Sequence, residues 1–212
     1  FTIPPITSNS TLRVTFRVII PTVDIAINIG TGGSLKENNQ ILENNSVLDA
    51  LENSEKTFKV TPDTGFEVDS LYFGGLDVKS KLIDGLYTTD TLKSPSTLKV
   101  TFKKQILNIK FLTNSGGTVK LDTLTLANDT VVSAEYGSRL TFTITPDVGY
   151  ELDSLSFGRN DVKGEWIENI FTTDSIIASD TLRVEFKKQI LEVKILANSG
   201  GTVKLDTLIL RN

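Results

Sequence analysis

Apolar and polar residues alternate in the same register at three places along the chain. Leu12, Val14 and Phe16 occupy every second position of residues 10–16, as Leu98, Val100 and Phe102 do in residues 96–102 and Leu182, Val184 and Phe186 in residues 180–186. A period of two is the period of a β-strand, so each trio is expected on one buried face, with the intervening Arg, Lys, Thr and Glu facing away. A second alternation, Thr-Phe-Lys-Val-Thr at 57–61 and Thr-Phe-Thr-Ile-Thr at 141–145, runs into Pro-Asp-x-Gly and then another strand-like run ending at Phe73 or Phe157. Pro62 and Pro146 pre-set φ, the Asp that follows favours local backbone hydrogen bonds, and Gly65 and Gly149 stand where a turn excludes a side chain.

These recurrences make the chain a tandem repeat. Phe16 and Phe102 are 86 residues apart and Phe102 and Phe186 are 84 apart. We expect residues 1–18 to be the C-terminal part of a preceding repeat, 19–103 and 104–187 two complete repeats, and 188–212 the N-terminal part of a following one. Residues 187–212 repeat residues 103–128 closely, sharing Asn-Ser-Gly-Gly-Thr-Val-Lys-Leu-Asp-Thr-Leu. The absence of methionine and the Phe at position 1 lead to the expectation that the chain is a fragment of a longer array.

Opening strands are expected at residues 23–29, 107–113 and 191–197, each leading to Gly32-Gly33, Gly116-Gly117 or Gly200-Gly201 and a returning hairpin strand. Residues 46–55 fit a short helix by spacing, but their counterpart Thr-Val-Val-Ser-Ala-Glu-Tyr at 130–136 is β-branched, and shared ancestry favours a strand in both. Asn53 standing where the other copy has Gly137 predicts a left-handed turn position. Phe73-Gly-Gly-Leu and Phe157-Gly-Arg-Asn predict a further hairpin. The junctions Lys103-Lys-Gln105 and Lys187-Lys-Gln189 contain neither Gly nor Pro and predict stiff joints, whereas residues 17–21 are two longer and end in Pro21. The fold class expected is all-β, mainly antiparallel, a tandem array of small β-rich modules.

Composition changes this picture mainly by exclusion. There is no histidine and no cysteine, which removes an imidazole base, a thiolate nucleophile, a disulfide framework and the usual soft metal ligands. A net charge of -4 spread without long runs of one sign gives no nucleic-acid footprint. No apolar run approaches the length of a membrane span. The recurrent carboxylates Glu67/Glu151 and Asp69/Asp153 are the remaining candidates for acid–base chemistry, of the glycosidase type. Their alternation with apolar neighbours makes solvent-facing positions the better reading. Asp63, Asp69, Asp77 and Asp84 lie near turns and could in principle offer oxygen to calcium, but no Asp-x-Asp-x-Asp-Gly loop occurs, and turn formation accounts for them. Trp166 aligns with Leu82, which favours packing over a sugar platform. The paired aromatics Phe58/Phe142, Phe66/Tyr150, Phe73/Phe157 and Phe102/Phe186 are expected to point mostly inward. No catalytic, cofactor-binding or metal residue is assigned, and no spacing identifies an intramolecular isopeptide bond.

The order of features, a Gly-Gly turn, Tyr-Gly-Ser at 136–138 before Leu-Thr-Phe-Thr-Ile-Thr-Pro-Asp-Val-Gly-Tyr-Glu-Leu-Asp-Ser at 140–154, then Thr-Leu-Arg-Val-Glu-Phe at 181–186, resembles the divergent internalin-type B-repeat, or bacterial repeat, family. The resemblance spans both complete copies and is weaker in the first, which lacks the Tyr-Gly pair and has Phe66 in place of Tyr150. It implies a small β-rich module, β-grasp-like in some members, strung in tandem in secreted or cell-surface proteins, often adhesins, with no catalytic residues. The expectation is therefore an extracellular, cell-surface structural segment whose partners are its neighbouring repeats, with self-association into fibres and a surface ligand outside these residues as further expectations. Accessory carbohydrate- or protein-binding modules of a secreted enzyme are the alternative.

Overall fold

The structure, a computed structural model, describes residues 5, 7–9, 11–192 and 194 of the 212-residue chain. It divides into two compact units, residues 1–107 with 135–137, and residues 108–134 with 138–212. Of the expected third opening strand, residues 191, 192 and 194 are described and form no strand, and the remainder and its glycine pair lie outside the described residues. No α-helix occurs among the described residues, and no helix is long and apolar enough to cross a membrane.

The first unit is built from β1 (Thr22–Ile29), β2 (Gly33–Glu37), β3 (Gln40–Leu42), β4 (Val47–Leu51), β5 (Thr57–Pro62), β6 (Phe66–Phe73), β7 (Leu76–Asp77), β8 (Leu86–Thr88) and β9 (Ser96–Lys104). Two sheets form, in the orders β4-β1-β9-β6-β7 and β3-β2-β5-β8. All pairings are antiparallel except β1 with β9, which run parallel with Ile27 opposite Leu98. Alternation decides which side chains enter the core. Val23, Ile25, Ile27, Ala50, Leu71, Leu98 and Val100 come from the larger sheet, and Leu35, Phe58, Val60 and Tyr87 from the smaller. Between the sheets Phe73 and Tyr87 meet at a ring-centroid distance of 6.1 Å. Burial pushes the Tyr87 hydroxyl up to about 12, with the charge of Asp90 adding to the effect.

Residues 106–188 form β10 (Ile106–Thr113), β11 (Gly117–Leu121), β12 (Leu124–Thr125), β13 (Val131–Glu135), β14 (Thr141–Pro146), β15 (Tyr150–Phe157), β16 (Asn160–Asp161), β17 (Ile170–Thr172) and β18 (Asp180–Lys188). Their sheet orders, β13-β10-β18-β15-β16 and β12-β11-β14-β17, match those of the first unit strand for strand, including the parallel pair of β10 with β18.

Two expectations are corrected. The segments flanking Gly32-Gly33 and Gly116-Gly117 do not form a hairpin: β1 pairs with β4 and β9, whereas β2 pairs with β3 and β5, and the second unit repeats this order. The glycines turn a corner between sheets rather than reversing the chain within one. Residues 11–16 form no strand, and Leu12, Val14 and Phe16 are exposed, Phe16 to 90%. Their counterparts Leu98 and Leu182 are fully buried because β1 and β6, or β10 and β15, flank them, and residues 11–16 have no such flanking strands. By contrast, residues 47–51 are a strand, and Asn53 and Gly137 both take positive φ, at 61° and 79°.

Candidate functional site

The recurrent carboxylates lie on an open sheet face. In the β6–β9 ladder the register shifts between Val68 and Ser70, leaving Asp69 as the extra residue of a β-bulge, and Asp153 is the extra residue of the matching bulge in β15. Each bulge is closed by a lysine from beyond the next hairpin, Lys79 Nζ donating to the Asp69 carbonyl at 2.9 Å and Lys163 Nζ to the Asp153 carbonyl at 2.8 Å. A second lysine joins the side chains. Lys103 Nζ lies 3.4 Å from Glu67 and 3.7 Å from Asp69, and Lys187 Nζ lies 3.4 Å from Glu151 and 3.0 Å from Asp153. Hydrogen bonding and charge from Asp153, then from Glu151, raise the Lys187 ammonium above its ordinary range.

A glycosidase needs one carboxyl held protonated and another ionised across a sugar-sized cleft. Here both carboxylates share a cation, both are about half exposed, and they stand on one strand face. The arrangement ties neighbouring strands together across the bulge.

The four aspartates near turns are dispersed. Asp63 accepts from Phe66 N–H through its backbone carbonyl, Asp69 is tied to Lys103, the Asp77 carboxylate accepts from Lys79 N–H at 2.9 Å, and Asp84 takes φ of 51° in a turn. No group of three or more acidic side chains is placed to hold a metal among the described residues. Trp166 is half-buried at the end of the 3-10 turn Lys163–Glu165, as Leu82 is after Lys79–Lys81. Its indole N–H is buried without a hydrogen-bond partner among the described residues. Phe58 and Phe142 are fully buried, while Phe66, Tyr150, Phe73 and Phe157 are partly so.

The glycine pairs have a role that the sequence reading missed. Gly32 takes φ of 97° and Gly116 of 116°, as a corner requires, yet Gly33 and Gly117 do not adopt positive φ. Each glycine is instead roofed by an aromatic ring: Phe66 over Gly32, Phe102 over Gly33, Tyr150 over Gly116 and Phe186 over Gly117. A Cβ at any of the four would clash with the ring that covers it. Phe66, Phe102, Tyr150 and Phe186 are thus seated on bare backbone at the sheet corners.

Open depressions recur at equivalent places. One of about 360 Å³ is lined by Asn44, Asn45, Lys99 and Thr101, and one of about 270 Å³ by Asn128, Arg183 and Glu185. In each, the asparagine side-chain carbonyl accepts a strand N–H, Asn44 from Ile29 and Asn128 from Thr113, both at 2.9 Å. A wider depression of about 580 Å³ between Arg159, Asp180 and Arg183 has Gly75, Ser96 and Lys99 at the corresponding positions of the other copy.

Fold and surface together define an all-β protein made of two like two-sheet units. No family model matches the chain, and no curated protein matches it. Among solved structures it is similar to the TIE protein of Bacillus anthracis (12% identity, TM-score 0.42, covering 80% of this chain and 34% of that one). It is also similar to a C-terminal fragment of the pilus adhesin SpaC from Lactobacillus rhamnosus GG (11% identity, TM-score 0.39, 82% of this chain and 100% of that one). A third is the major pilin T-13 of Streptococcus pyogenes serotype GAS131465 (12% identity, TM-score 0.31, 81% and 98%).

Proposed function

We propose that the chain is a structural repeat segment of a long bacterial cell-surface adhesin or extracellular filament, in which modules act as a semi-rigid stalk. The observation that carries this reading is the recurrence of one two-sheet unit whose corner glycines, roofing aromatics and bulge lysines are retained while its outward residues change. A module of ~85 residues has a radius of gyration of ~12 Å, so each copy adds roughly 30 Å of reach. Stability in such arrays is a sum of module and nearest-neighbour contributions. Repeat boundaries at residues 19–103 and 104–187 belong to this proposal. Electron microscopy of proteins carrying different numbers of copies tests it: length should grow by a constant increment per copy, and compact particles of unchanged length would refute it.

The paired depressions at Asn44 and Asn128 favour one second reading, an accessory module binding a polar ligand such as a carbohydrate weakly in each copy and tightly by avidity. Glycan-array binding that disappears in Asn44→Ala/Asn128→Ala would place this reading first.

A further inference from the structure

The first unit contains one more seated aromatic. Gly65, with φ of 80°, is covered by the ring of Tyr136, and a Cβ there would clash with that ring. Gln105 brackets the two: its N–H donates to the Gly65 carbonyl at 2.8 Å, and its own carbonyl accepts from Tyr136 N–H at 2.9 Å. Glu135 lies 3.6 Å from Lys104 beside them. Residues 135–137, Glu-Tyr-Gly, are therefore a plug, and Gly65, Gln105 and Lys104 are its socket.

In the second unit the same socket is built and open. Gly149 has the same φ of 80°, its carbonyl accepts from Gln189 N–H at 2.9 Å, and Lys188 stands where Lys104 does. Nothing among the described residues lies within 4 Å of where a Gly149 Cβ would point, and Val148 beside it is fully exposed. Glycine at this position satisfies the turn in both units, but among the described residues only the first has a ring in the space the missing side chain leaves.

We infer that the Gly149 socket receives the tyrosine of a Glu-Tyr-Gly turn from a following copy of this repeat, with that glutamate facing Lys188. This rests on the repeat reading and deepens it, because it says which copies lock. A copy of the first kind has Leu51-Glu52-Asn53 where the second has Glu135-Tyr136-Gly137 and brings neither the ring nor the acid in place. Copies of the two kinds therefore make different joints, and the longer, Pro21-ended junction precedes the kind without the plug.

The test extends the full chain after Asn212 with residues 129–188, completing a third copy of the second kind. The Gly149 amide and Hα resonances are followed by NMR. Ring current from a seated tyrosine moves them upfield, and Gly65 in the same spectrum supplies the occupied reference, identified by its downfield return in Tyr136→Ala. The expected result is a Gly65-like shift at Gly149 that is lost on replacing the third copy's tyrosine by alanine, or its Glu-Tyr-Gly by Leu-Glu-Asn. An unshifted Gly149 beside a third copy whose own core resonances are dispersed overturns the inference and leaves the stalk reading to its length measurement. A shift that survives the tyrosine replacement also overturns it, since some other group then fills the socket.

Discussion

Glu37 and Lys56 form a largely buried ion pair at the end of β2, 3.1 Å apart with side chains 10% and 22% exposed. The corresponding positions of the second unit hold Leu121 and Leu140. The surrounding bonds are the same in both: Thr89 Oγ1 accepts from Lys56 N–H, and Thr173 Oγ1 from Leu140 N–H, each at 3.0 Å. One frame thus holds a charged pair in one unit and an apolar pair in the other, which makes the second unit a natural control. Breaking a fully buried pair by removing one partner costs about 3–5 kcal/mol, and exchanging both partners for apolar residues is often neutral or stabilising. Lys56 is the more exposed partner and lifts its ammonium toward water when unpaired, so Glu37→Leu is expected to cost about 1 kcal/mol. Lys56→Leu strands the more deeply placed carboxylate with only the Asn38 amide, 2.8 Å away, and is expected to cost about 2 kcal/mol. The double variant should return close to zero, a coupling of about 3 kcal/mol. Urea titrations read through amide resonances of Leu35 and Phe58, with Val119 and Phe142 reporting the second unit, measure all three. Additive losses, with coupling below ~0.5 kcal/mol, would refute the reasoning.

The alkaline limb offers a second contrast between the units. Tyr87 is raised from its ordinary value of 10.0 to about 12, and its counterpart is Phe171. The unfolded chain ionises first, so the first unit should lose stability progressively between pH 10 and about 12, by roughly 2–3 kcal/mol, and keep it below pH 10. Tyr87→Phe should flatten that slope, and an unchanged slope would assign it to another group. Gly33→Ala, at a position without positive φ, should destabilise the first unit by about 1–3 kcal/mol through overpacking against Phe102. Part of that loss should be recovered in Gly33→Ala/Phe102→Leu, and strict additivity in chemical denaturation would show that the ring does not roof the glycine. Trp166→Phe removes a buried donor that has no acceptor among the described residues and should shift stability by less than about 1 kcal/mol; a larger loss on thermal unfolding would reveal a bond to the indole N–H. Asp153→Asn should bring the Lys187 ammonium back toward its ordinary range, as read from its Cε resonances against pH.

Strands were legible in the chain because their signal is local. Phe58, Val60, Phe142 and Ile144 alternate with polar residues within a few positions, and their burial follows from that spacing. Pairing was not legible in the same way. The parallel contact of β1 with β9 joins Ile27 to Leu98 across most of a repeat, and no local pattern encodes it. The glycine corner was misread for a related reason. A Gly-Gly pair between two strand-like runs has the signature of a hairpin turn, and only the roofing rings Phe66 and Phe102, far along the sequence, distinguish a corner. Glu67 and Asp69 were placed on a solvent face by alternation alone, whereas Lys103 between them depends on cross-strand register and the bulge. The role of Tyr136 could not be read from its own copy, because its socket glycine lies 71 residues earlier.

The differences between the two units bear on what the fold is for. Charged for apolar at Glu37/Lys56 and Leu121/Leu140, Tyr87 for Phe171 and Leu82 for Trp166 are all exchanges inside or beside a core, each absorbed without a change in strand order. Outward positions change as freely, with Lys59 opposed to Thr143 and Ile41 to Thr125. What both units keep is the corner glycines with their roofing rings, the bulge with its two lysines, and the glycine–glutamine pair of the socket. They hold sheet to sheet, strand to strand, and in the first unit a tyrosine plug to its socket. Their retention in both units is a structural one, and the Gly149 socket is where the proposed contact between copies can be tested apart from the length of the array.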